Sequence, residues 1–354
     1  MANGADKDYA IVIGIDAYTG LRTLRSAVND ANEFMKWLRE EEGLDDPGQI
    51  IPILGDTPYA KWTEAKPNGG SVDEALIELG LLKGKKIGRR LYFYFSGHGF
   101  TTVDSDVGMA LANAALGFLK NSISMRGCHS IFQELRYFDE VIFILDCCRE
   151  KTEYPELPST PASSIDFLKS KFPNGAVAAP DPFKDLLVLA TSYGDKSLAP
   201  VVKEIGERRG LLTIAVLEGL RGKAALENGD ITAASLRAYT EARVKELAGE
   251  HKVPQEAQIN DSNSRGMVIR NIPTPTVQVK INVSAAIRGE LILHDKGIRV
   301  MAGDLHQNAS VWEVSLPKRL APYFIESTDP VSLRKLDLSQ VDESVPYEFA
   351  FPGA

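Results

Sequence analysis

The sequence predicts an α/β fold, a mostly parallel sheet flanked by helices, followed by a small C-terminal all-β domain of sandwich type. Three observations carry this. Short, almost wholly apolar runs alternate with longer segments of helical periodicity. The runs are apolar without alternation, as strands covered on both faces must be. Beyond about residue 271 the helices stop and closely spaced short strands take over.

The first run is YAIVIGI, residues 9–15, ending at Gly14 and Asp16. The segment LRSAVNDANEFMKWLREEEG follows, with Val28, Ala31, Phe34, Met35 and Leu38 at helical spacing and Gly43 as a stop. QIIPIL (49–54) reads as a second strand and SVDEALIELGLLKG (71–84) as a second helix. The third strand is Leu91–Phe95, residues 129–138 are helical, and EVIFILD (140–146) is the fourth strand. DLLVLATS (185–192) is the fifth, and residues 211–222 and 231–250 are two further helices. Such sheets place their chemistry in loops at the carboxyl ends of the strands.

Residues 150–184 interrupt the alternation with six prolines in 35 residues and read as an exposed, mobile connection within the first domain. That domain is expected over residues 1–271. IPTPTVQ (272–278) reads as a linker, and residues 275–354 as a β-sandwich domain of roughly 80 residues.

Composition narrows the classes of function. The chain has 354 residues, 44% hydrophobic and 25% charged, which is ordinary for a globular protein. A formal net charge of −8, with no long basic stretch, gives no support to a nucleic-acid or anionic-membrane partner. Three cysteines, Cys128, Cys147 and Cys148, are too few and of the wrong parity for a disulfide framework. A reducing, cytoplasmic setting fits them. MANGADKDYA has no apolar signal-peptide core, and no apolar run approaches the roughly 18–20 residues of a membrane span. No cofactor is implied. The cysteines and histidines lack zinc-ligand spacing, and Asp104 and Asp106 are too few for a calcium site.

Two motifs carry chemistry. FYFSGHGF (93–100) puts His98 just past the third strand between Gly97 and Gly99, which let the backbone turn sharply and a substrate approach closely. FILDCCRE (143–150) puts Cys148 just past the fourth strand. If the two strands are neighbours, both side chains reach one edge of the sheet, where an imidazole promotes ionisation of a thiol. Taken singly, a histidine after a strand is most often a loop residue and a lone cysteine a small buried hydrophobe. Together, at two strand ends, they read as a nucleophile and its proton partner.

The SGHG strand end, the D-x-C-R strand end fifty residues downstream and the alternating sheet resemble the caspase-like clan, peptidase family C14, of which that order and spacing are a known signature. The likeness covers about residues 8–270. LRSAVNDA (24–31) resembles the metacaspase L-x-G-C-x-N-D-A segment, and GDITAASLRAYTEARV followed by Gln255 resembles the end of bacterial C14 domains. Where animal caspases have Gln-Ala-Cys-Arg-Gly, this chain has Asp146-Cys147-Cys148-Arg149-Glu150, which fits the Asp-x-Cys pattern of metacaspases and paracaspases. The resemblance implies that Cys148 is the nucleophile. Strand alternation agrees, because only one of two adjacent cysteines can face the cleft. Cys147 is then a packing residue, and Cys128, with no motif around it, is structural by default.

The resemblance further implies a cysteine endopeptidase working by a Cys148–His98 dyad, with the oxyanion held by the backbone N–H groups of Gly99 and Cys148. It places Asp146 and Asp30 in the pocket for the residue preceding the cut, with Asp195 as a third candidate. Two carboxylates suit Arg or Lys there, so cleavage after basic residues is expected. Two readings compete with this. Asp30 could simply cap its helix, and Arg25, near where animal caspases place an arginine that binds aspartate, would reverse the preference if it entered the pocket. Lys151, Lys169 and Lys171 make self-cleavage within 150–184 a further expectation, set against an uncut loop. The partner is a protein or peptide substrate, with an activator or substrate docking on the C-terminal domain. Many bacterial relatives act in stress, cell-death or anti-phage systems. The rival class is a catalytically silent caspase-like scaffold.

Overall fold

The structure, a computed structural model, describes residues 7–101, 106–115, 119–151, 182–191, 201–202, 207–272, 276–295, 298–303, 311–317, 322–338, 341–342 and 344–351. The chain divides into two compact units, Met1–Leu226 with Ile231–Arg270, and Glu227–Asp230 with Asn271–Ala354.

The first unit is built on six strands: β1 (Asp8–Ile15), β2 (Ile50–Gly55), β3 (Gly88–Gly97), β4 (Phe138–Cys147), β5 (Lys184–Leu189) and β6 (Gln258–Asn260). Their spatial order is β6-β5-β4-β3-β1-β2. All neighbours are parallel except β6, which runs antiparallel to β5 along one edge. The helices are α1 (Ala27–Glu40), α2 (Gly69–Leu79), α3 (Met125–Leu135), α4 (Leu211–Glu218) and α5 (Ala233–His251). This is the expected α/β arrangement, a mostly parallel sheet flanked by helices. The edge strand β6 and a separate small four-stranded sheet, made by residues 99–101, 107–110, 122–124 and 150–151, were not foreseen.

Alternation along the strands divides the core between the two faces. Ile11, Ile13, Phe93, Phe95, Val141, Phe143, Leu145 and Cys147 point into one apolar cluster with Val72 and Leu76 of α2 and Ile131 and Phe132 of α3. The residues between them face α1 and α4. Phe34 of α1 stacks on Tyr94 at 4.6 Å between centroids. A Cβ on Gly14 would lie 2.6 Å from the Ala31 Cβ, so glycine is what lets α1 close down on β1. Helix ends follow local chemistry. Asn68 and Ser71 form a capping box on α2, and Gly80, at φ 109°, ends that helix five residues short of the sequence boundary at 84. At the amino end of β3, the fully buried Arg90 binds Glu140 at 2.6 Å and donates to the carbonyls of Val268 and Ile269.

The second unit has a three-stranded sheet (Thr276–Val283, Val311–Pro317, Tyr347–Phe351) and a four-stranded antiparallel sheet (Leu291–Asp295, Ile298–Gly303, Tyr323–Thr328, Val331–Leu336). Val277, Val279 and Ile281 from the first share one apolar cluster with Leu291, Leu293, Ile325 and Leu336 from the second. Among the described residues no helix is long and apolar enough to cross a membrane.

Candidate active site

β3 and β4 lie side by side in parallel, and their register pairs Ser96 with Asp146 and Gly97 with Cys147. His98 and Cys148 are the next residue on each strand. They therefore leave the carboxyl edge of the sheet together, on backbones separated by the roughly 4.8 Å of adjacent strands. The adjacency on which the sequence reading depended is present.

His98 is held from two sides by the loop after β1. Its backbone N–H donates to the Tyr18 hydroxyl at 2.8 Å, and its imidazole meets the buried Tyr18 ring edge-on at 4.8 Å. Its Nε2 lies 2.6 Å from the Arg22 carbonyl oxygen. A carbonyl only accepts, so Nε2 carries the proton in that bond and Nδ1 is the basic nitrogen of the neutral ring. The loop is itself anchored. Asp16 Oδ1 accepts from the backbone N–H of Ser26 and Ala27 at 3.0 and 2.9 Å, and Asp16 and Ala17 donate their own N–H groups to Gly55.

The flanking glycines have separate steric causes. A Cβ on Gly97 would sit 2.6 Å from the Tyr18 hydroxyl oxygen. One on Gly99 would sit 2.7 Å from the Cys148 carbonyl oxygen and 2.8 Å from the Cys147 Cβ. The chain leaving His98 thus passes directly over the chain leaving the cysteines.

The two cysteines differ in environment. Cys147 is buried, and burial pushes its thiol pKa well up, followed in effect by the charges of Cys148 and Asp146. Cys148 is half-buried. Arg149 pins the next residue: its Nη1 donates to the Thr191 carbonyl at 3.1 Å and to Gln258 Oε1 at 2.5 Å, while its own carbonyl accepts from the Thr101 hydroxyl. Cys128 is buried on α3, with its thiol pushed up chiefly by burial.

Asp30 and Asp146 converge although one comes from α1 and the other from β4. Asp146 Oδ2 accepts from the Thr213 hydroxyl at 2.7 Å and its N–H at 3.1 Å. Asp30 Oδ1 accepts from Arg209 Nε at 2.6 Å and Oδ2 from the Gly210 N–H at 2.9 Å. Both carboxylates crowd Gly210, where a Cβ would collide with Asp146 and lie 3.0 Å from Asp30 Oδ2. Asp30 is fully buried, and burial, then the Asp146 charge, raise its pKa to about 7 against the pull of Arg209 and Gly210. The hydroxyl of the buried Tyr94 shares a 2.7 Å hydrogen bond with that of Thr213.

Asp30 is not the cap of α1, because Asp16 reaches the first N–H groups of that helix. Arg25 is exposed, and Arg209 is the arginine that binds Asp30. Asp195, Lys169 and Lys171 lie outside the described residues, as does Asp104. Asp106 binds the Ser124 hydroxyl and the Arg126 N–H at the start of α3. Sequence reasoning missed Tyr18, the Arg22 carbonyl, Arg209 and Thr213. The one available signal was RRG immediately before the helical run at 211.

The family model of the Peptidase C14 caspase domain matches residues 7–263. A curated relative from a Desulfuromonadales bacterium, named as a probable protease, is 30% identical over 224 residues, or 61% of this chain and 26% of that protein. The chain thus spans about a quarter of that relative's length. Among solved structures, caspase-1 from Spodoptera frugiperda aligns with 77% of this chain and 91% of its own, at 15% identity and a TM-score of 0.44. A Geobacter sulfurreducens protein aligns with 72% and 92%, at 14% identity and a TM-score of 0.41.

Proposed function

This chain belongs to the caspase-domain peptidase family C14, and on that footing we propose that it is a cysteine endopeptidase acting through Cys148 and His98. The register that sets the two residues side by side at the carboxyl edge carries the reading. Nδ1 of His98 takes the Cys148 thiol proton, and the thiolate attacks the scissile carbonyl carbon. The imidazolium then gives its proton to the leaving amine, and the acyl-enzyme forms. In the second half His98 draws a proton from water, which attacks the thioester and releases Cys148. Throughout, the Arg22 carbonyl holds Nε2–H, so the basic nitrogen keeps its direction. A carbonyl in this role explains why no third acid stands out in the sequence.

The tetrahedral oxyanion is assigned to the N–H groups of Gly99 and Cys148. Ala110 donates to the His98 carbonyl, so the alternation of the antiparallel ladder makes Gly99 and Met109 a non-hydrogen-bonded pair. The Gly99 N–H is therefore not taken by that strand. Asp30 and Asp146 would select a basic residue before the cut, which gives the site a metacaspase-type preference. Recruitment of substrate or activator is left to the C-terminal unit.

Cys148→Ala should abolish cleavage of a fluorogenic peptide panel ending in Arg, Lys or Asp while leaving the unfolding transition intact. Full activity in that variant would overturn the assignment, and cleavage after Asp alone would overturn the basic preference.

A further inference from the structure

One carboxylate of the proposed selectivity pocket, Asp30, already holds a guanidinium from its own chain. Arg209 is buried, with its side chain only 7% exposed, and its Nε is 2.6 Å from Asp30 Oδ1. It stands between a two-residue strand, Glu207–Arg208, and Gly210, the residue before α4. Asp30, the carboxylate it meets, is set on α1, and Asp146 stands beside Gly210 on β4.

We infer that Arg209 is a specificity-determining residue that occupies, from within the chain, the place of a substrate's basic side chain. A basic substrate then reaches Asp30 only by displacing it. The inference rests on the reading that Asp30 and Asp146 select the residue before the cut.

Three features support occupancy over simple stapling. First, the ion pair joins Asp30 to a guanidinium, the same group that a substrate arginine would present to a carboxylate. Second, Asp146 accepts from neutral donors on Thr213, whereas the charged donor Arg209 is directed at Asp30. Third, the Arg209 backbone leads into Gly210, whose missing side chain is what allows both carboxylates to approach. The segment bearing Arg209 is therefore fitted to these carboxylates at the backbone level. Its removal would leave them a cation short rather than leave a void in the apolar core.

The test compares wild type, Arg209→Gln and Arg209→Lys on peptides ending in Arg, Lys or Asp. Arg209→Gln should lower KM for Arg and Lys peptides at least tenfold, with the change falling on KM rather than kcat, and Arg209→Lys should return KM most of the way to wild type. An unchanged or raised KM in a folded Arg209→Gln protein overturns the inference and leaves the basic preference standing. Binding of agmatine, a free guanidinium probe, is measured in parallel by NMR titration of Cys148→Ala and Cys148→Ala/Arg209→Gln. Agmatine should bind the double variant at least tenfold more tightly, and equal binding overturns the inference. If Arg and Lys peptides are refused while Asp peptides are cut, the basic preference fails by itself, and the agmatine comparison still decides what Arg209 does. Should Arg209→Gln not fold, the same comparisons are made with Arg209→Met, which keeps the apolar stem and removes the charge; a KM and an agmatine affinity equal to wild type overturn the inference, and a tenfold fall in KM with a tenfold gain in agmatine affinity supports it.

Discussion

Replacing Asp30 by Asn should make the stability gap between variant and wild type depend on pH, in a direction set by burial. Asp30 has an ordinary value of 3.8 and a folded value of about 7, because burial and Asp146 outweigh Arg209 and the Gly210 N–H. Between those values the folded chain holds a proton that the unfolded chain has released. The stability from this group is fully present below about pH 4 and is lost as pH rises through about 7. The slope is about 1.4 kcal/mol per pH unit for one proton. Between pH 5.5 and 8 the wild type should therefore lose about 2 kcal/mol relative to Asp30→Asn, most of it before pH 7. Any fixed difference between an amide and a protonated carboxyl cancels, because only the change in the gap is read. The assay is urea unfolding at both pH values in a Cys148→Ala, Trp312→Phe background, which prevents self-cleavage and leaves Trp37 and Trp62 of the first unit as reporters. A gap constant to within about 0.5 kcal/mol would refute the reasoning. A gap that moved the other way would mean that Arg209 dominates and holds the Asp30 carboxyl below its usual range.

Three other perturbations follow from the same geometry. Tyr18→Phe removes the acceptor of the His98 N–H, a bond worth about 1 kcal/mol, so kcat should fall by up to about tenfold with KM unchanged. Gly99→Ala puts a Cβ 2.7 Å from the Cys148 carbonyl oxygen, and the displacement should cost about 100-fold in kcat/KM on the same peptide panel. Arg90→Met, at the amino end of β3, leaves Glu140 of β4 with only its longer pairs to Arg89 and Lys184 and takes the donor from the Val268 and Ile269 carbonyls, and should cost about 3 kcal/mol in urea unfolding while leaving kcat/KM of the folded protein intact.

The elements that periodicity could show were read correctly as to type. β3 and β4 are long apolar runs, and the residues that follow them are a strand-end histidine and cysteine whatever else the chain does. What periodicity could not show are contacts between distant parts of the chain. Arg209 meets Asp30 across 179 residues and His98 meets Arg22 across 76, the latter through a main-chain atom that no side-chain code records. β6 was missed because QIN is three residues long, and only the partner strand β5 makes it a strand. Helix ends were overrun where glycine permits a turn. The apolar run from 211 continues to 222, but α4 ends at Glu218 and passes into a wider turn in which Gly222 has φ 120°. The doublet Cys147-Cys148 was separable from sequence because a strand alternates, and the burial of Cys147 follows that alternation.

The reactive pair and the carboxylate pair are rooted in different parts of the molecule. His98 and Cys148 stand on adjacent central strands tied by a continuous ladder, so small shifts in the outer layers leave their spacing alone. Asp30 rides on α1, which rests on β1 through Gly14 and on β3 through Phe34, and Arg209 rides on the chain entering α4. Substitutions beneath those helices, far from any substrate, could slide one carboxylate against its arginine without touching the nucleophile. A lineage carrying this fold could therefore drift in what it cuts while keeping its ability to cut, because selectivity has been placed on the adjustable layer and chemistry on the fixed one.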